Sequence, residues 1–161
     1  AHRLTSLYGM REGRADVLID PGRSSVHLEP PPFPFGGSGL LSSARDYDRF
    51  LLMLAGEGAI GTTRIMSRET ARLAMSNLLP PGVDMSGALV SSEGFGALGS
   101  VALRKQPDGK GPGTFGWSGG AGTTGFVDPS QGIRAAGYGQ FIPAAAIPFR
   151  EDVPKSVYGI A

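Results

Sequence analysis

Glycine constrains this chain more than any other residue. There are 26 glycines and 13 prolines among 161 residues, near the share at which a chain becomes low-complexity. The glycines are interleaved with apolar runs and follow no Gly-x-y period, which excludes collagen-like and low-complexity readings. The pattern is that of a turn-rich globular chain containing sheet. The length is that of one domain, enough to bury roughly 70% of the unfolded surface.

Fifteen basic and fourteen acidic residues leave a net charge of +1. No basic stripe is present, so nucleic acid has no electrostatic footprint here. The absence of cysteine excludes disulfides, thiolate metal sites and cysteine nucleophiles. The apolar runs are too short to span a membrane. The chain starts Ala1-His2-Arg3, without Met or a signal pattern, and is expected to be a processed product or a piece of something longer.

Local patterns predict the elements. Residues 3–8 and 15–19 read as a hairpin turning over Gly9 to Gly13. Residues 20–39 form a long connection containing Pro30-Pro31-Pro32, which favours extended backbone. A helix is expected at 43–55, with Ser43 and Asp46 as a capping box. Tyr47, Phe50, Leu51 and Leu54 fall on one face of it, and Gly56 stops it. A second helix is expected at 68–77, capped by Ser67, with Ala71, Ala74, Met75 and Leu78 as its stripe. Residues 82–94 read as loop. Strands are expected at 95–104, 114–118, 123–128 and 133–141, the last two joined by the turn Asp128 to Gly132. Val153, Val157 and Ile160 suggest a C-terminal helix with Pro154 in its first turn.

Several motifs that could carry chemistry fail on context. Gly116-Trp117-Ser118-Gly119-Gly120 matches a nucleophile elbow, which needs a following helix and a later histidine. The next residues lead into a strand, and the only histidines, His2 and His27, precede it. The matches to Gly-x-Gly-x-x-Gly at 94–99 and 120–125 open no helix, as a dinucleotide site requires. His2 stands at the terminus and His27 in an expected strand, without ligand spacing. Asp46/Asp48 and Glu151/Asp152 have no supporting pattern for paired-carboxylate catalysis. No metal or cofactor is expected. Trp117, the single tryptophan, lies in the most glycine-dense stretch. It reads equally as a core residue or as part of a cleft strand whose backbone meets a ligand.

The run Gly36 to Phe50, Gly-Gly-Ser-Gly-Leu-Leu-Ser-Ser-Ala-Arg-Asp-Tyr-Asp-Arg-Phe, resembles a segment of the class C β-lactamase-like serine hydrolases, which include penicillin-binding-protein-like esterases. Further similar segments follow in the family's order. They are Ile65 to Thr70, Asn77 to Pro80, Gly94 to Gly99, Phe115 to Thr123 and Val127 to Pro129. The resemblance covers residues 1–141. It implies an α+β fold, an antiparallel sheet with flanking helices, of which this chain is the C-terminal portion. It also implies that Trp117, Ser118 and Gly119 occupy the place of the family's Lys-Thr-Gly motif and line the substrate cleft. By the same match the Gly120 N–H is the sheet-side oxyanion-hole donor.

Two family motifs have no counterpart. No serine has lysine three residues on, and no tyrosine has asparagine two residues on. The chain therefore reads as part of a hydrolase that makes an acyl-serine, inactive alone. Its expected partners are an ester or amide substrate in the complete domain and a missing N-terminal segment, or a second copy. Trp117 in place of lysine favours an ester or another acyl substrate over β-lactams. A non-catalytic binding module or a pseudoenzyme is the other reading.

Overall fold

The computed structural model describes residues 3–37, 39–83, 85, 94–97 and 99–160. His2 and most of the loop expected at 82–94 lie outside them. The fold is α+β. Its centre is a five-stranded antiparallel sheet of β5 (Gly94–Phe95), β6 (Ser100–Val101), β7 (Phe115–Ser118), β8 (Thr123–Asp128) and β9 (Ile133–Tyr138), paired in that order. Cross-strand pairs such as Trp117↔Gly125 and Gly125↔Ala136 fix the register. Because side chains alternate, Phe115, Trp117, Gly125, Val127, Ala136 and Tyr138 share one face, and Ser118, Thr124, Phe126 and Gly137 the other.

Helix α1 (Ala44–Ala55) covers the first face. Its N-terminus forms as the sequence predicts: Ser43 Oγ accepts from the Asp46 N–H at 3.1 Å and donates to Asp46 Oδ2 at 2.6 Å. Leu51 and Leu54 join Phe115, Val127 and Val101 in the core, with Tyr47 against its edge. Phe50, expected in that stripe, is 46% exposed, and Met53 is buried instead. Strand β3 (Ala59–Ile60) packs on α1, and its Ile60 lies against the core cluster that holds Met53. Strand β3 pairs with β4 (Thr63–Arg64). Helix α2 (Arg68–Ala74) has the expected Ser67 cap but ends three residues early. Beyond it, Asn77 Oδ1 accepts the Phe95 N–H at 3.0 Å, so the chain has already turned to meet β5.

Helix α3 (Phe149–Tyr158) covers the opposite face. Pro154 sits inside this helix, not in its first turn, and is fully buried. Burial of the ring compensates for the hydrogen bond that proline cannot make.

Abundant glycine has its clearest purpose under these helices. A Cβ on Gly125 would lie 2.7 Å from Tyr47 Cε1, and one on Gly137 would lie 2.7 Å from Phe149 Cε1. Glycine in these strands lets both helices settle on the sheet.

The remaining strands differ from the expectation. The hairpin is β1 (Leu7–Arg11) and β2 (Arg14–Asp20), so the first strand starts four residues late. The turn is only Glu12-Gly13, both with positive φ, a two-residue turn whose twist matches its strands. The expected strand 95–104 is divided into β5 and β6 by a turn in which the Gly96 N–H donates to Gly99 O at 2.8 Å. The expected strand 133–141 stops at Tyr138, and Phe141–Ile142 form β10, which pairs parallel with β1. His27 lies in a 3-10 turn, Val26–Leu28, not a strand.

Candidate active site

Strand β7 carries the motif that the resemblance marks. Its pairing with β6 ends at Ser100↔Gly116, while its pairing with β8 continues through Ser118↔Thr124. Past Gly116 one edge of β7 is therefore open. Gly116 O accepts from Ser100 Oγ at 3.1 Å and so points to that edge. Backbone groups alternate along a ladder, so those of Ser118 point the same way.

The turn after β7 continues this arrangement. The Gly119 N–H donates to Thr123 O at 2.8 Å, back towards β8. Gly120 O accepts from the Ala144 N–H at 3.2 Å. Among the described residues the Gly120 N–H has no hydrogen-bond partner, and a Cβ built there would meet no atom within 4 Å. A backbone donor without a protein partner is available to water or a ligand. The turn leads into β8 and opens no helix, so neither the elbow nor the dinucleotide geometry forms.

The four residues singled out in the sequence are brought together, but their side chains diverge. Trp117 is 39% exposed and packs edge-on against Phe95, centroids 5.4 Å apart. It is neither a fully buried core residue nor a free surface ring. Ser118 Oγ donates to Thr124 Oγ1 at 3.0 Å on the other face of the sheet. Ser118 therefore offers the cleft its backbone, not its hydroxyl.

Beside Trp117 lies a cleft of about 480 Å³, reached by Trp117, Ser118, Gly119, Tyr47, Tyr138, Leu40 and Leu41. Leu4, Leu7, Asp20, Ser25 and His27 close its far side. No lysine or arginine is among these described lining residues, and Asp20 is their one carboxylate. That carboxylate is engaged: Ser25 Oγ donates to Oδ2, and the Val26 N–H to Oδ1 at 3.3 Å. Burial pushes the Tyr47 phenol above its ordinary pKa, and burial followed by the nearby Tyr47 and Asp48 does the same for Tyr138. Both stay neutral and donor-competent at ordinary pH. Among the described residues no group of three or more His, Cys, Asp or Glu side chains could hold a metal ion. No helix among them is long and apolar enough to cross a membrane.

Sequence reasoning missed Tyr47, Tyr138 and the Asp20–Ser25 pair. Tyr47 was placed only as a helix-face residue. The available signal was Gly125, because glycine inside a strand marks close approach by another group.

At the opposite end of β8 stands a second polar cluster. Asp128 is 1% exposed. Its carboxylate accepts from the Gly111, Ser130 and Gln131 N–H groups, from Ser130 Oγ at 2.6 Å, from Gln131 Nε2 at 2.9 Å and from the Tyr158 hydroxyl at 2.7 Å. Burial opposes its ionisation, but these donors outweigh burial and hold its pKa well below the aspartate range. Every donor comes from the protein itself, so the cluster is a structural clasp between the 105–113 loop, the β8–β9 turn and α3.

Comparison with known proteins places this geometry. The family model described as Beta-lactamase matches residues 1–140. Protein Rv1367c of Mycobacterium tuberculosis (strain H37Rv) is 34% identical, over 81% of this chain and 34% of its own length. The chain thus spans about a third of that relative. A LovD6 mutant of simvastatin synthase from Aspergillus terreus superposes with a TM-score of 0.77 at 19% identity, covering 98% of this chain and 41% of that one. EstCE1, described as a hydrolase with promiscuous acyltransferase activity, gives 0.65 at 23% identity over 95% and 39%. A penicillin-binding protein homologue from Caulobacter crescentus gives 0.53 at 22% identity over 69% and 30%. At these identities the solved structures speak for the fold, and the family model speaks for kinship. By fold and by sequence, the chain belongs to the β-lactamase family.

Proposed function

We propose that this chain forms the sheet-side wall of a serine hydrolase active site that cleaves uncharged esters through an acyl-enzyme. The Gly120 N–H donates to the oxyanion of the tetrahedral intermediate. Trp117, the Ser118 backbone and Gly119 line the substrate cleft. The nucleophilic serine and the lysine that activates it belong to a segment upstream of this chain, carrying Ser-x-x-Lys. The reading rests on one observation: among the described residues the Gly120 N–H, at the end of the Trp-Ser-Gly strand, has no hydrogen-bond partner, and its chain neighbours Gly119 and Ala121 line the cleft.

Cleft chemistry supports esters. An aromatic ring stands where the family pattern has a cation, and no described lining residue is lysine or arginine. A substrate carboxylate would be desolvated there without a partner. EstCE1 supports the same reaction class by analogy of fold.

The segment upstream also has a place to dock. Tyr8 and Leu18, cross-strand partners on one face of the β1–β2 hairpin, are 45% and 48% exposed, an apolar pair of the kind that marks a contact.

The test is a kinetic panel on the full-length protein. Hydrolysis of short uncharged esters with kcat/KM well above that for a β-lactam is the expected result. Absence of ester turnover together with β-lactam turnover overturns the substrate class. Ester or amide turnover by the isolated 161-residue chain overturns the upstream nucleophile.

A further inference from the structure

The cleft has a floor that the Trp-Ser-Gly motif does not specify. Gly125 is the cross-strand partner of Trp117 on β8, and its missing side chain leaves a gap on the face that α1 covers. Tyr47 fills that gap. Its Cε1 and hydroxyl lie 2.7 Å and 3.0 Å from where a Gly125 Cβ would stand. The ring cannot move deeper, because the sheet backbone is beneath it. It is held from the side by Tyr138, edge-on with centroids 6.3 Å apart. Tyr138 is in turn tied to the first turn of α1 through its hydroxyl, which donates to Ala44 O at 3.2 Å. Leu40 and Leu41 stand at the rim, 90% and 50% exposed, and Trp117 forms the adjoining wall.

Resting on the ester hydrolase reading, we propose that Tyr47 is a specificity-determining residue that sets the length of the uncharged aliphatic acyl group this cleft accepts. Three features select that ligand. The rings offer flat apolar contact, the described lining residues include no lysine or arginine, and the one carboxylate is occupied by Ser25 and Val26. The limit on length is steric. A ring pinned over glycine on one side and against Tyr138 on the other has no room to withdraw, so a longer chain collides with it.

The readout is the KM of the full-length protein for each ester, taken as its apparent affinity. The probes are the methyl esters of butanoate, hexanoate, octanoate and decanoate. Each methylene that finds room tightens binding by about fourfold. Wild type is expected to tighten along the series up to a limiting ester and then stop. In Tyr47→Leu the limit moves about two carbons longer, so the affinity for the ester two carbons past the wild-type limit rises more than about tenfold relative to the limiting ester. In Tyr47→Phe, which keeps the ring, the limit stays. Gly125→Ala is the independent variant: it pushes the ring into the cleft and moves the limit to a shorter ester. A wild-type series with no limit up to decanoate, or a limit that neither Tyr47→Leu nor Gly125→Ala shifts, overturns the role of Tyr47 and leaves the ester cleft standing. A shift in Tyr47→Phe equal to that in Tyr47→Leu overturns the steric account. No ester binding by wild type overturns the cleft reading itself.

Discussion

The two ends of β8 are built to opposite rules. At its C-terminal end Asp128 is buried and engaged by donors from three segments. Beside its N-terminal end the Gly119–Gly122 turn leaves the Gly120 N–H without a hydrogen-bond partner among the described residues. One strand joins a fully satisfied polar cluster to an unsatisfied donor less than ten residues away. The difference teaches where stability and chemistry are separated. A buried carboxylate is tolerable when its donors are in place, whereas the oxyanion donor of the proposed function is useful only when no internal acceptor engages it.

Removing the clasp should have the largest effect on stability. Asp128→Ala strands several buried donors, and a loss of about 3–5 kcal/mol is expected in chemical denaturation. A loss below about 1 kcal/mol would show that water satisfies those donors at little cost. The open end should respond in activity alone. Gly120→Pro deletes the N–H, and kcat of the full-length protein should fall by about 10²–10³-fold with its denaturation midpoint nearly unchanged. If the midpoint falls in step with kcat, the contrast between the two ends is wrong.

The clasp also predicts a pH dependence. Asp128 has a native pKa depressed below its ordinary 3.8, so between those two values the unfolded chain binds more protons than the folded one. Its contribution is therefore complete above about pH 4 and is lost as pH falls through that value towards the depressed native pKa. Denaturation midpoints of wild type should drop below pH 4, and those of Asp128→Asn should drop less. The smallest change is expected for Tyr158→Phe. It removes one donor to the carboxylate and leaves the ring stacked on Phe126, centroids 6.1 Å apart. About 1–2 kcal/mol should be lost, and ester turnover should not change.

What was legible in the sequence was what local chemistry decides. The Ser43 cap, the start of α1 and the β8–β9 turn each depend on residues within a few positions of one another. The parallel pairing of β1 with β10 could not be read, because it joins residues more than 130 apart and leaves no periodic trace. Pro154 inside α3 was also hidden. A local rule places proline in a first turn, and only the sheet beneath makes burial of its ring worth the lost hydrogen bond. Within the site, the Trp117–Gly120 run was legible as a motif. Its geometry was not: strand alternation turns Ser118 to the far face, and that depends on where β7 begins. Tyr47 was legible as a helix-face residue, but its place over Gly125 requires the register of the sheet.

The most direct test of the central claim is to map the covalent label that a fluorophosphonate leaves on the full-length protein. The account predicts one labelled peptide, carrying the serine of a Ser-x-x-Lys motif upstream of this chain, with labelling slowed in Gly120→Pro. Label on Ser118, or labelling indifferent to the loss of the Gly120 N–H, would contradict it.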